Sequence, residues 1–345
     1  MRRVLIIRLS AIGDVVMASG LIPALRSLWP DAQLSWLAEP AGASLLKDNP
    51  RLDQVLVWPR GEWAKLWRAR RYRAWASAVR TFAAELRAQH FDLAIDAQGL
   101  LKSALWARVA GAPRRIGLAS REGSQRLVTE VLEPRPDDPR IGSEYRQLAE
   151  HLGAAPMAFR MDLPVSAETA GSTRALLDQA GVHGPYAALA PFTTRPQKHW
   201  IEERWAPLAQ RLATELGHAS VMLGGPESRP SAAAIAEAAG DAVIDLVGRT
   251  SLPQSVAVIA GARVLIGVDT GLTHMGIARQ VPTLALFGST CPYLDTLSGN
   301  ARVLYQPLIC SPCRRHPTCA GTFTCMRLHT VDTVATAAAA LVTPT

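Results

Sequence analysis

Short β-branched and leucine-rich runs alternate with amphipathic stretches, and this alternation constrains the fold more than any other feature. VLIIRL (4–9) reads as a buried strand, followed by a helix from about Asp14 to Leu28. QLSWLA (33–38), DQVLVW (53–58) and LAIDA (93–97) supply the next strands. Strands alternating with helices imply a parallel sheet with right-handed crossovers. The periodicity lapses over 158–185, where Pro164, Gly171, Gly181, Gly184 and Pro185 flank one short helix. A second alternating set then begins with YAALA (186–190), SVMLGG (220–225), VIDL (243–246), RVLIGVD (263–269) and PTLALFG (282–288). The alanine-rich stretch 331–342 predicts a terminal helix. The length of 345 residues suits two domains. The expected class is α/β, with doubly wound domains over 1–165 and 186–330, a linker region over 166–185 and a helix over 331–345. Ligands of such sheets sit at the carboxyl ends of the strands, here expected to face a central cleft.

Charged residues at 19% and a mean hydropathy of +0.08 exclude wholesale disorder. No run of about 18 uncharged apolar residues is present to span a bilayer. Arg8 and Asp14 interrupt the apolar N-terminal stretch, so a cytoplasmic chain rather than an exported one is expected. The net charge of +8 is uneven: residues 1–160 hold 24 Lys and Arg against 16 Asp and Glu, while the rest hold 13 of each. The asymmetry gives the first half either an anionic partner or a merely well-solvated basic surface.

Three clusters follow the carboxyl ends of predicted strands. RLSAIGD (8–14) offers Gly13 for a tight turn and Asp14 at a helix start. Asp14 is either a helix cap or a general base. The turn carries neither a dinucleotide fingerprint nor a Walker-type phosphate loop. VDTGLTH (268–274) ends a strand at Asp269 and starts a helix near Leu272, so Thr270 and Gly271 suit a phosphate at a helix N-terminus. His274 is either an anion donor there or a packed core histidine. PFTTRPQKHW (191–200) places Thr193, Thr194, Arg195, Lys198 and His199 together, as a diphosphate clamp or as a solvated loop.

RLSAIGD (8–14), IDAQGLLKS (95–103), TTRPQKHW (193–200) and DTGLTH (269–274) together resemble glycosyltransferase family 9, the ADP-heptose transferases. The resemblance covers nearly the whole chain. It implies a GT-B fold of two Rossmann-like domains, the first binding acceptor and the second binding donor, and inverting transfer without a catalytic metal. The donor it implies is ADP-heptose and the acceptor Kdo on lipid A. By the same resemblance Asp14 is the base and Lys198 the residue that stabilises the leaving diphosphate. Thr193, Thr194, Asp269, Thr270, Gly271, His274 and Glu227 are then expected around the donor. Gly13, Arg60, Lys65, Gln98 and Lys102 are expected on the acceptor side. Other acceptors, namely a second heptose, a protein hydroxyl or a small glycoside, would leave the donor side looking alike. A non-catalytic nucleotide-sugar binder would not require Asp14 paired with Lys198.

Residues 58–87 carry Arg60, Lys65, Arg68, Arg70, Arg71, Arg73, Arg80 and Arg87 against Glu62 and Glu85. Trp58, Trp63, Trp67, Tyr72 and Trp75 interleave with them. The pattern suits an anionic membrane surface, single-stranded nucleic acid, or a helix whose aromatics pack inward. With the resemblance, the expectation is peripheral attachment to the cytoplasmic face of the inner membrane, with no nucleic acid. Cys310, Cys313, Cys319 and Cys325 fall as C-x2-C-x5-C-x5-C, with Cys291 apart. In a cytosolic chain this suggests either a structural Zn or Fe site or free thiols and a reversible disulfide. Arg314, Arg315 and His316 lie within reach of an anion there.

Overall fold

The computed structural model describes residues 1–342 apart from Pro136 and Arg315, with the side chain of Leu216 set aside. Residues 343–345 of the expected terminal helix lie outside the described residues. Two compact units divide the chain. The first is Met1–Asp138 with Gly142–Pro164, and the second is Pro139–Ile141 with Val165 onward.

In the first unit β1 (Arg3–Ile7), β2 (Gln33–Ala38), β3 (Gln54–Val57), β4 (Leu93–Asp96), β5 (Arg114–Leu118) and β6 (Glu130–Leu132) form one sheet. Its order is β3-β2-β1-β4-β5-β6, parallel throughout. The helices are α1 (Ile12–Ala18), α2 (Leu21–Leu28), α3 (Pro40–Leu46), α4 (Arg60–Arg68), α5 (Tyr72–Ala88), α6 (Leu101–Val109) and α7 (Ser143–His151). The second unit contains β7 (Ala187–Ala190), β8 (Ser220–Met222), β9 (Val243–Asp245), β10 (Val264–Val268), β11 (Thr283–Phe287) and β12 (Ala301–Tyr305). They run β12-β11-β10-β7-β8-β9, the same winding counted from the unit's own first strand. Its helices are α8 (Ala167–Gln179), α9 (Trp205–Leu216), α10 (Arg229–Ala239), α11 (Leu252–Gly261), α12 (Gly271–Ala278), α13 (Thr324–Arg327) and α14 (Val331–Val342).

Central strands covered on both faces need apolar residues at every position, and VLII of β1 and VLIGV of β10 are buried along their length. Over the first sheet Leu5, Ile7, Leu37 and Ala94 pack with Trp58, Trp63, Leu86 and Trp106. Trp58 and Trp63 are each 8% exposed, which corrects their expected place at an interface; Trp58 packs edge-on and Trp63 at a tilt against Trp106 because the sheet face needs large apolar cover. In the second unit α14 packs on α9, β10 and β11, and α8 packs on α11.

The expected single helix 14–28 is two helices broken at Ser19–Gly20. The ring of Phe159 lies 2.6 Å from where a Gly20 Cβ would stand, and the Ser19 hydroxyl accepts the Asp162 N–H at 2.8 Å. The break admits the unit's returning segment. The alternating pattern does not signal β5, β6 or β12, because RRIGL, EVL and ARVLY are short, half polar and lie toward the sheet edges.

The strand order reverses between β1 and β4, where Ile7 stands opposite Asp96, and between β7 and β10, where Ala190 stands opposite Gly267. In doubly wound sheets that reversal opens the crevice in which ligands bind. The segments after these four strands are 8–14, 97–103, 191–200 and 269–274. The topology therefore brings the quoted motifs to two switch points, one in each unit.

Candidate active site

At the first switch point Asp14 stands in the first turn of α1, where its Oδ2 accepts the Ala11 N–H at 3.2 Å. Arg8 leaves the end of β1, and its NH2 meets the same oxygen at 2.6 Å. The Asp14 side chain keeps 36% exposure, so the carboxylate is anchored yet open to solvent. Gly13 occupies a helical position in α1 and makes no special turn there, a correction to its expected conformation. The turn is instead made by residues 8–11.

The DAQGLLKS run divides between structure and surface. Asp96 is fully buried and its Oδ1 accepts the Gln98 and Gly99 N–H groups at 3.0 and 3.1 Å. Burial pushes its carboxyl above the ordinary range despite those bonds. Gln98, buried, accepts the Leu9 N–H at 2.9 Å and so ties the ends of β1 and β4. Gly99 has φ +67, and an added Cβ would stand 2.0 Å from the Leu118 carbonyl, so only glycine fits. Lys102 remains half-exposed. Its Nζ reaches Ser10 Oγ at 3.3 Å and Glu39 Oε1 at 3.4 Å, and Arg60 meets that Glu39 oxygen at 3.5 Å. Arg60 and Lys65 are exposed on α4. Two cations on one carboxylate leave a positive balance beside Asp14.

The second switch point is drier. Asp269, 8% exposed, receives Lys198 Nζ on Oδ2 at 2.6 Å and His274 Nε2 near Oδ1 at 3.5 Å. The Thr290 hydroxyl donates to Oδ2, and Thr193 Oγ1 donates to the Asp269 carbonyl at 3.3 Å. Burial alone would raise the Asp269 carboxyl, but hydrogen bonds and charge from His274 and Lys198 outweigh it and hold the group well below the ordinary range. Residues whose expected roles were separate, Lys198 and Asp269, thus share one contact. His274 is 3% exposed, and its Nδ1 stands 2.8 Å from the Tyr293 hydroxyl. It is therefore both buried and turned toward the site, joining two alternatives the sequence sets apart.

Thr270 is the N-cap of α12, Gly271 its first residue, and Thr194 is exposed. His199 Nε2 meets the Thr193 carbonyl at 2.8 Å, bracing the 193–199 turn. Glu227 is exposed in the turn after β8, with its carboxylate folded over Gly225. The sequence pattern does not point to Glu39, Thr290 or Tyr293. Arg8 left a signal: a charge ending an apolar strand is buried only when paired.

The cysteine segment sits beside this region. The Arg314 N–H donates to Ser289 O at 2.7 Å, and Gln197 Nε2 donates to Arg314 O at 3.1 Å, which docks the segment on the Lys198 turn. Arg315 lies outside the described residues, and His316 is exposed. Cys325 is buried, Cys310 exposed, and Cys313 and Cys319 are half-exposed. Burial first, then the charges of the three other thiols, raise Cys325. Among the described residues no three His, Cys, Asp or Glu side chains stand close enough to hold a metal ion, so the four-thiol site expected from the spacing is not formed in this arrangement. Cys291 is pushed up to about 11 by burial and by the Asp269 charge.

These positions can be set against known proteins. The family model "Glycosyltransferase family 9 (heptosyltransferase)" matches residues 79–323. The chain is 32% identical over 314 residues to lipopolysaccharide heptosyltransferase 1 of Pseudomonas aeruginosa, covering 90% of this chain and 86% of that one. Among solved structures, the glycosyl transferase family 9 protein from Veillonella parvula superposes with TM-score 0.82 at 20% identity, covering 99% and 97% of the two chains. The E. coli heptosyltransferase WaaC with ADP-2-deoxy-2-fluoro heptose superposes with TM-score 0.72 at 25% identity, covering 96% and 97%. The two doubly wound units are those of the GT-B fold. The chain belongs to glycosyltransferase family 9 and is a glycosyltransferase.

Proposed function

We propose that the two switch points divide one inverting transfer between them, with Asp14 as base and Lys198 as partner of the leaving group. The chain moves heptose from ADP-heptose to Kdo of the lipopolysaccharide inner core, the activity of the heptosyltransferase 1 relatives. The acceptor hydroxyl gives its proton to Asp14 as its oxygen bonds to the anomeric carbon. The bond from that carbon to the diphosphate oxygen breaks, and ADP leaves with the electron pair. Lys198 has three N–H donors, so the one held by Asp269 leaves two for diphosphate oxygens. The amides of Thr270 and Gly271 at the start of α12 add anion donors, Thr193 and Thr194 add hydroxyls, Asp269 takes sugar hydroxyls, and Glu227 stands toward the ribose. Gly13, Arg60, Lys65, Gln98 and Lys102 line the acceptor side, with Gln98 acting through the backbone it ties.

The observation that carries this reading is Asp14 itself, a half-open carboxylate held at a switch point. Asp14→Asn tests it. Transfer should fall on the order of 10²–10⁴-fold, while calorimetry shows ADP-heptose binding unchanged. Near-normal turnover reduces Asp14 to a helix cap.

Family 9 heptosyltransferases need no catalytic cofactor. A structural Zn or Fe on Cys310, Cys313, Cys319 and Cys325 is a separate reading, supported by the spacing of the four cysteines. It requires the segment to close around the ion. Elemental analysis under reducing conditions decides: about one equivalent of metal supports it, and less than about a tenth overturns it.

No helix among the described residues is long and apolar enough to cross a membrane. The lipid-linked acceptor instead gives the α4–α5 surface its partner, the anionic inner-membrane face. Trp67 and Tyr72 are 53% and 49% exposed there, with Arg68, Arg70, Arg71 and Arg73 around them.

A further inference from the structure

We propose that Arg8 is a positioning residue for the transfer reaction, clamping one oxygen of Asp14 so that the other faces the acceptor hydroxyl. The inference rests on Asp14 being the base. β1 delivers Arg8 one residue past its last paired position, into the carboxyl edge of the sheet, where its side chain is 10% exposed. A charge is tolerated there only if it is paired. Arg8 NH1 donates to the Ala97 carbonyl at 2.9 Å, NH2 meets Asp14 Oδ2 at 2.6 Å, and the guanidinium lies over the Tyr145 ring, 5.6 Å from its centroid. Three elements therefore fix the cation: β1 carries it, the end of β4 holds one nitrogen, and α7 supplies the ring.

Both anchors of Asp14, the Arg8 guanidinium and the Ala11 N–H, fall on Oδ2. Among the described residues none takes Oδ1. A capping carboxylate needs only the backbone bond; a buried arginine aimed at the same oxygen goes beyond that. The arrangement restricts the rotamers of a side chain that must meet a hydroxyl in a near-attack geometry, and leaves one oxygen free to accept the proton. Arg8 touches no substrate in this account. It acts through Asp14.

Arg8→Met, Arg8→Lys and Asp14→Asn, alone and combined, separate the possibilities. In Arg8→Met the kcat per folded molecule should fall 10–100-fold, with ADP-heptose affinity within about twofold of wild type. Arg8→Lys should recover most of the loss, because an ammonium can still meet Oδ2. In the Asp14→Asn background Arg8→Met should change the residual rate less than about threefold, the non-additivity of two residues acting as one unit. If Arg8→Met does not fold, Arg8→Gln, which keeps a donor for Ala97, carries the same cycle. An unchanged kcat in the folded variant beside an inactive Asp14→Asn overturns the positioning role and leaves the base intact. Losses that multiply in the double variant also overturn it. An active Asp14→Asn instead removes the base reading itself.

Discussion

Asp96 ends β4 and Asp269 directly follows β10, the equivalent strands of the two sheets, yet their carboxyls are pushed in opposite directions. Asp96 is buried with backbone N–H partners on one oxygen and none on Oδ2, so burial prevails and its protonation is favoured. Its ionised form is worse accommodated folded than unfolded, so its contribution falls as pH rises above the ordinary carboxylate value of about 3.9. Asp96→Asn keeps the acceptor for Gln98 and Gly99 and removes that slope. Its melting temperature at pH 7 should equal or exceed wild type, with the advantage shrinking toward pH 4. Asp96→Ala instead strands two N–H groups and should cost about 1–3 kcal/mol. A melt at pH 7 in which Asn is as harmful as Ala contradicts the burial argument. Asp269 has the reverse sign. Its folded carboxyl is depressed by His274 and Lys198 against the cost of burial, so its contribution is complete above about pH 5 and is lost progressively as pH falls from the ordinary value of about 3.9 toward the depressed folded one. Asp269→Asn should lower the melting temperature at pH 7, and its deficit against wild type should narrow progressively as pH is taken below about 4, as scanning calorimetry over a series of pH values reads directly. The same variant should bind ADP-heptose more weakly, whereas Lys198→Ala should lose mainly kcat.

At the scale of elements, the elbow between α4 and α5 shows how one sequence pattern serves two purposes. Trp58 and Trp63 go into the core, while Trp67 packs at 5.0 Å from both Tyr72 and Trp75 on the outside. Replacing Arg68, Arg70, Arg71 and Arg73 together by Gln should release the protein from anionic vesicles, each basic residue contributing about 1 kcal/mol near such a surface. Salt should mimic the variant. Transfer to a delipidated acceptor should hold, and equal losses on both acceptors move these arginines to the active site or the fold. The central strands and the four switch-point motifs were legible in the sequence because buried parallel strands are continuous apolar runs and their motifs follow directly. The strands β5, β6 and β12, at or next to a sheet edge, were not, since nothing in three to five half-polar residues reveals a sheet. The division of the aromatics was illegible for a related reason: spacing states which residues share a face but not how much of that face another helix covers. Tyr293 escaped because it reaches His274 from a loop nineteen residues away, a contact only the folded chain creates.

Across the whole molecule, two units with one winding carry unequal charge. All of the excess cation lies in residues 1–160, while the donor motifs lie in the neutral remainder. On the donor assignment proposed above, a nucleotide diphosphate would be recognised by a few buried, directed groups around Asp269 and Lys198 rather than by a general positive field. Binding should then stabilise locally before it stabilises generally. ADP at 100 times its Kd adds about 2.7 kcal/mol to any opening that destroys its site, which is roughly 100-fold slower exchange for amides released only by that opening. Hydrogen exchange with ADP alone should show that protection across 193–199 and 268–274 and through β7 and β10. Residues 8–14 and 96–102 should exchange as in the free protein, because ADP has no acceptor group to offer Asp14. Adding a Kdo-bearing acceptor fragment should extend protection to those two segments. Protection of 8–14 by ADP alone, with 268–274 unmoved, places the nucleotide in the first unit and reverses the assignment of donor and acceptor sides.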